Sequence, residues 1–234
     1  MSFVKKISLL VFTLASTGVN ALTLDYRHEF KADSEVQSNR LKLAHTTEEG
    51  FFFEVEGTMA EGQDANADGF NSGNGNWSGN GSEWEMGKAF QVTDKIVLSP
   101  AVNLDVGDSA IGYRVQLKSI YTITENWFTT LRWRGGIEKN ESSDVNDKNY
   151  NQINWEVGYK NNVFSITGDY EYRFTNYEDY KGDHNYSLYN VTVAVPINMQ
   201  WVPYTEIGYV PRYNSDHTQD EMEMRYRLGI KYNF

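Results

Sequence analysis

Cations recur at every second position in several stretches of this chain. In 221–234, which reads E-M-E-M-R-Y-R-L-G-I-K-Y-N-F, Arg225, Arg227 and Lys231 share one parity with Glu223. The same dyad spacing carries Arg114, Gln116 and Lys118, then Thr130, Arg132, Arg134 and Glu138, then Asp25, Arg27 and Glu29, and Arg40 with Lys42. Guanidinium forks grip carboxylates bidentately, and ammonium groups hold them as point charges. Rows of such groups are how a pore selects anions. Carboxylates of matching parity fall on other segments: Glu54 and Glu56, Glu83 and Glu85, Asp169 and Glu171. That distribution predicts charge of one sign segregated around a wall. Two uses fit it, an internal salt-bridge network that fills and stiffens, or a water-lined path for an anionic solute.

The elements that must position these residues are β-strands. In 221–234 the other parity is Met222, Met224, Tyr226, Leu228, Ile230, Tyr232 and Phe234, so the segment has one apolar and one polar face. A strand tilted across a bilayer needs about ten residues. Similar segments lie at 22–30, 39–47, 51–60, 82–91, 95–105, 111–122, 127–138, 149–160, 163–174, 186–196 and 200–210. Short connections (47–50, 93–95, 124–126, 160–162, 197–200) alternate with longer polar ones (31–38, 61–81, 139–148, 175–185, 211–220), as periplasmic turns and extracellular loops do. The expected fold is therefore all-β, a twelve-stranded antiparallel transmembrane β-barrel of the outer membrane. Its apolar parity faces lipid and lipopolysaccharide, and its polar parity lines the lumen. Aromatics beside the short connections (Phe51, Phe52, Phe90, Trp127, Phe128, Tyr159, Phe164, Trp201, Phe234) predict one girdle. A soluble sandwich or lipocalin-like barrel alternates in the same way, with its apolar face turned inward. Closure sets 221–234 beside 22–30 and puts 111–138 half way round, so two basic stripes should face each other.

The amino terminus agrees with export. Lys5 and Lys6 precede a short apolar core at 7–15, and Val19, Asn20 and Ala21 form a small-x-small cleavage site. Residues 1–21 read as a signal peptide and 22–234 as one barrel domain, with no linker or composition shift. The core is shorter than the ~20 residues of a membrane helix. The sequence has no Cys, so no disulfide staples the fold. The net charge is −11, yet the predicted lumen is rich in bases. The aromatic closing strand is the segment that barrel-assembly machinery would engage.

Other chemistry is sparse. Asp64, Asn66 and Asp68, followed by Gly69, match the first half of a calcium loop, but Gly75 stands where the bidentate Glu belongs. The plainer reading is a polar flexible loop, and no cofactor is expected beyond that possible calcium. Of the four histidines, His28 and His45 fall on the lipid parity, while Asp183 and His184 are adjacent in a polar loop where such pairs are normally solvated. No nucleophile pairing, zinc spacing or phosphate loop suggests an enzyme. Bases enclosed in a barrel do not suggest a nucleic-acid partner.

The start L-T-L-D-Y-R-H-E-F, then N-R-L-K-L-A-H and F-F-F-E-V-E, with L-R-W-R at 131–134, P-Y-T-E-I-G-Y at 203–209 and the ending Y-R-L-G-I-K-Y-N-F, resembles the oligogalacturonate-specific porin (KdgM) family. That family includes the N-acetylneuraminic acid porin. The resemblance implies a monomeric twelve-stranded barrel passing acidic oligosaccharides such as uronic-acid oligomers between two inward Arg/Lys tracks. On this chain the tracks are Arg27, Arg40, Lys42, Arg114, Lys118, Arg132, Arg134, Arg225, Arg227 and Lys231. A general or sialic-acid-type porin, or a closed structural or adhesive barrel, remains open at this point. The acidic loops depart from the expected basic path, because an acidic mouth repels polyuronates.

Overall fold

The computed structural model describes residues 22–61, 77–107, 110–140, 147–213 and 221–234. The predicted signal peptide and the calcium-loop candidates Asp64, Asn66 and Asp68 lie outside the described residues. The strands are β1 (Leu22–Lys31), β2 (Gln37–Thr46), β3 (Phe51–Glu61), β4 (Trp77–Lys88), β5 (Phe90–Thr93), β6 (Ile96–Val106), β7 (Ala110–Thr122), β8 (Trp127–Asn140), β9 (Lys148–Lys160), β10 (Ser165–Thr175), β11 (Asn185–Ala194), β12 (Trp201–Arg212) and β13 (Glu221–Asn233). All pair antiparallel with their neighbours in one sheet, which closes where β1 meets β13 and β4 meets β6.

Twelve staves form this wall, because β4 and β5 share one position. Both pair with β6, and the break at Ala89 turns that residue's N–H onto the Gly50 carbonyl, 2.8 Å away, in the β2–β3 turn. The reading of 82–91 as one strand thus marks a single stave. That stave is longer than expected and interrupted near its end.

The solvent pattern is inside out. Among the described residues the buried apolar side chains are only Ala101, Val210 and Pro211, whereas Asp25, Ser99, Asn103, Gln116, Thr130, Gln152, Asn154, Thr175 and Glu223 are buried polar ones. Leu131, Trp155 and Leu228 are more than half exposed. A soluble sandwich buries its apolar parity, so this arrangement excludes one. It is the arrangement of a barrel whose surroundings are hydrocarbon, with every interior backbone group paired between strands. Among the described residues no helix is long and apolar enough to cross a membrane.

The closing strand is held on both edges. β13 pairs with β12 and β1, and the Phe234 N–H donates to the Leu22 carbonyl at 2.9 Å. Outward-facing Tyr232 packs against Trp201 (centroids 4.6 Å apart) and Phe234 (4.7 Å). Trp127, Tyr159 and Phe164 make a second such cluster at the same end, with 5.2 and 5.8 Å between successive centroids. Lys88 lies over the Phe51 ring at 4.2 Å.

Two members of the predicted girdle are corrected. Phe52 and Phe128 share the parity of Glu54 and Thr130 and point into the lumen. Adjacent residues of a strand face opposite ways, so neither Phe51 and Phe52 nor Trp127 and Phe128 can both meet lipid.

Candidate functional site

All ten predicted track residues take the inward parity. Their partners divide them into two groups. Arg40 donates to Asp25 at 2.7 Å and lies 3.3 Å from Glu56, and Lys42 bonds Glu54. Arg114 is clamped by Glu83 at 2.8 Å and by Asp105. Arg227 stands in register between Glu29 on β1 and Glu206 on β12 and donates to each at 2.6 Å. Arg225 donates to Glu206 at 3.1 Å and to Asn190 at 2.7 Å. The predicted segregation of sign is therefore wrong for these five. Inward side chains two residues apart on neighbouring strands lie within reach of long basic side chains, so local neutralisation takes place across the strands.

Arg27, Lys118, Arg132, Arg134 and Lys231 form the second group, and none has a described carboxylate within ion-pair distance. Register explains this. Lys118 and Arg132 are directly opposite each other, and their next neighbours are Ser99 and Asn154. Arg134 lies between Gln116 and Gln152 and donates from Nε to Gln116 Oε1 at 3.0 Å. Arg27 faces Arg40 and Gly229. Lys231 faces Asp25, but that carboxylate already accepts from Arg40 and from the Tyr204 hydroxyl at 2.8 Å. Lys231 rests instead over the Tyr204 ring, 5.3 Å from its centroid. A buried Nε without a described partner occurs in both groups, on Arg27 and Arg132 and equally on Arg40, Arg114 and Arg225, so it does not separate them.

This second group is confined to two sectors. Arg27 and Lys231 sit on adjacent staves β1 and β13, while Lys118 and the pair Arg132 and Arg134 sit on adjacent staves β7 and β8. Following the ring, β8 is the sixth stave from β1, half way round twelve. Arg27 and Arg132 are each the sixth residue from the short-turn end of their strands. Like charges in register repel, and a neighbouring anion relieves them both. The arrangement can thus hold a carboxylate on either side of the lumen.

The β9–β11 sector carries inward acids and amides beside one arginine, Arg173. Glu171 accepts from Gln152 at 2.7 Å and from Asn154 at 3.0 Å, while Asp169 accepts from Asn190 at 3.0 Å. Inward residues missed in the sequence include Asp105, Glu206, Arg173 and Tyr204. Glu206 and Tyr204 fall in the segment 200–210 with the parity that the strand reading already assigned to the lumen, so parity was the available signal. Arg173 donates to Gln152 at 2.7 Å and lies over the Tyr150 ring at 4.6 Å.

Glu223 is not a track residue but a latch. It is 1% exposed and accepts from the Ser34 N–H and hydroxyl at 3.0 and 2.9 Å, drawing the β1–β2 connection inward at the long-loop end. Glu223→Ala should release that connection, at a cost of about 1–3 kcal/mol. Limited proteolysis of the folded barrel should then cut faster within 32–36, and an unchanged cleavage rate would count against the latch.

His28 and His45 lie on the outward parity as predicted, with His28 Nδ1 3.0 Å from Asn39 Oδ1. Asp183 and His184 are both exposed in the β10–β11 connection, where the His184 carbonyl accepts from Thr175.

Residues 15–234 match the family described as oligogalacturonate-specific porin protein (KdgM). The chain is 28% identical over 235 residues to the uncharacterised protein YiiY of Salmonella typhimurium, covering 100% of this chain and 99% of that one. It is 26% identical over 251 residues to the oligogalacturonate-specific porin KdgM of Dickeya dadantii, covering 99% of each. Among solved structures, the NanC porin superimposes with a TM-score of 0.74 at 16% identity, covering 90% of this chain and 100% of NanC. The KdgM porin superimposes with a TM-score of 0.64 at 19% identity, covering 91% and 99%. At those identities the superpositions speak for the barrel fold.

Proposed function

Because the chain belongs to the oligogalacturonate-specific porin family, we propose that it is an outer-membrane channel of a Gram-negative bacterium that passes acidic oligosaccharides, uronic-acid oligomers above all, by facilitated diffusion. Residues 1–21 are the export signal removed from the mature chain. The short turns face the periplasm and the long loops face outward. The apolar band meets lipid and lipopolysaccharide, the closing strand engages the barrel-assembly machinery, and one chain makes one pore without catalysis.

The observation that carries this reading is the pair of opposed sectors in which Arg27 and Lys231 face Lys118, Arg132 and Arg134 with no described carboxylate in ion-pair contact. A carboxylate entering between them replaces repulsion between like charges with attraction. Arg40, Lys42, Arg114, Arg225 and Arg227 act differently from the tracks first expected, because their charges are already matched by wall carboxylates. They hold the wall's electrostatics in place while the five others exchange the solute. Conduction requires each stop to be weak and the stops to be several, or the solute does not leave. The relative KdgM of Dickeya dadantii is an oligogalacturonate-specific porin, and a KdgM porin forms a complex with disordered oligogalacturonate, which supports the choice of solute.

Recording single channels in a planar bilayer tests the proposal. The wild type should pass anions in preference to cations, and oligogalacturonate should interrupt the current. Raising salt from about 0.1 M to 1 M should shorten the interruptions, because the screening length falls from about 10 Å to 3 Å. Cation preference would overturn the anion path, and absence of conductance would make the barrel a closed structural or adhesive one. Conductance without oligogalacturonate block would leave a general porin or one of different selectivity.

A further inference from the structure

Inward aromatic rings occur at both ends of the lumen, Tyr150 and Tyr186 toward the long loops, and the three at the other end form a pattern that charge does not explain. Phe52 is the second residue of β3, Phe128 the second of β8 and Tyr204 the fourth of β12, so all three lie near the short-turn end. Following the closed ring, β3, β8 and β12 are each four staves apart, which divides the lumen wall into thirds. The strands between them that run in the same direction, β1, β6 and β10, carry Thr23, Val97 and Ser165 inward at that end.

Each ring is seated in the same way. Its partner directly across the strand pair is a glycine: Gly87 for Phe52, Gly158 for Phe128 and Gly229 for Tyr204. A Cβ at any of these glycines would collide with the ring lying over it. The absence of that atom lets the ring rest against the wall, an arrangement that also protects the glycine's backbone. A ring fixed in this way loses little freedom when something stacks on it. Tyr204 is further held by its hydroxyl bond to Asp25, 2.8 Å long, and carries the Lys231 ammonium over its face.

We propose that Phe52, Phe128 and Tyr204 form an aromatic collar at the short-turn end of the lumen that binds pyranose rings by their apolar C–H faces. This deepens the transport reading and rests on it. The five cations recognise carboxylates on any backbone, whereas the collar recognises that the carboxylate is borne on a sugar ring. An aromatic face carries negative charge density and attracts polarised C–H groups, and three such faces around one path contact a ring from whichever side it arrives. At Tyr204 the two functions meet, since a uronate stacked there has its carboxylate beside Lys231.

The test compares three blockers added to the channel: trigalacturonate, the acyclic tricarballylate and neutral maltotriose. Phe52→Leu and Phe128→Leu, singly and together, keep apolar bulk and remove the aromatic face, and Tyr204→Phe keeps the ring as a control. Heat-modifiable migration in detergent gels verifies folding of each variant. Residence of trigalacturonate and of maltotriose should shorten by about threefold to tenfold per ring removed. Residence of tricarballylate should be unchanged, and Tyr204→Phe should retain ring residence. Equal residence of the ring-bearing blockers in wild type and in the leucine variants would overturn the collar. Loss of all three blockers in parallel would also overturn it, as a general change in the pore. Maltotriose separates this failure from failure of the cation path, because it carries no charge for that path to hold.

Discussion

Replacing Arg132 and Arg134 together by Ala should weaken block by galacturonate oligomers about 10-fold to 100-fold, since each charge-assisted hydrogen bond contributes about 1.5–3 kcal/mol and solvation in a wet lumen reduces the sum. The barrel should fold normally. Neither guanidinium has a described carboxylate that its removal would leave uncompensated, and among the described residues the one side-chain hydrogen bond lost is from Arg134 Nε to Gln116 Oε1. Anion preference measured from the reversal potential in a salt gradient should fall in parallel, because one of the two opposed sectors then keeps only Lys118. Arg114→Ala provides the contrast. It frees Glu83 and Asp105, so selectivity should fall through added negative charge, and stability should fall with it. If the double variant binds galacturonate as tightly as wild type, the β7–β8 sector is not part of the solute path.

Arg227→Ala should be the most destabilising single change among the ten predicted track residues. Its guanidinium is shared by Glu29 and Glu206, and Arg225 alone would remain to serve both, at 3.9 and 3.1 Å. Breaking a fully buried pair costs about 3–5 kcal/mol. Arg227 is 15% exposed to the lumen, which brings the expectation to about 2 kcal/mol. The midpoint temperature of the heat-modifiable gel shift should drop clearly. Arg227→Met combined with Glu29→Gln should recover most of the loss, because Arg225 then remains paired with Glu206 and the excess negative charge is removed. A single variant as heat-resistant as wild type would show that the Arg227 clamp contributes nothing to the closing seam.

Most of the architecture was legible in the chain. Strict alternation in 221–234, aromatic ends and short and long connections in turn are local properties, and each strand carries its own copy of the signal. Parity assigned Arg132 inward and Leu131 outward without any knowledge of neighbours, and the inverted burial agrees. The girdle shows where such reading stops. Phe51 and Phe52 look alike as composition, yet a period of two forces one into lipid and one into the lumen. Counting aromatics near turns overlooked that consequence of parity.

The division within the candidate site depended on register. Lys231 and Lys42 both have Asp25 directly across from them, and nothing in either segment says that Arg40 and Tyr204 take that carboxylate first. Arg134 and Arg114 belong to one basic stripe in the sequence, but pairing gives Arg114 one acid diagonally on β6 and another a strand further on β4, and gives Arg134 the amide of Gln116 directly opposite. The collar likewise joins strands far apart in the chain, through glycines whose partners only strand pairing reveals. Side-chain alternation is fixed by the backbone of each strand alone, so a β-barrel with bases turned inward was readable from the chain before any strand pairing was known. Which cations meet a wall carboxylate and which meet none among the described residues depends on the stagger between strands, and stagger is a property of pairs that no single segment carries.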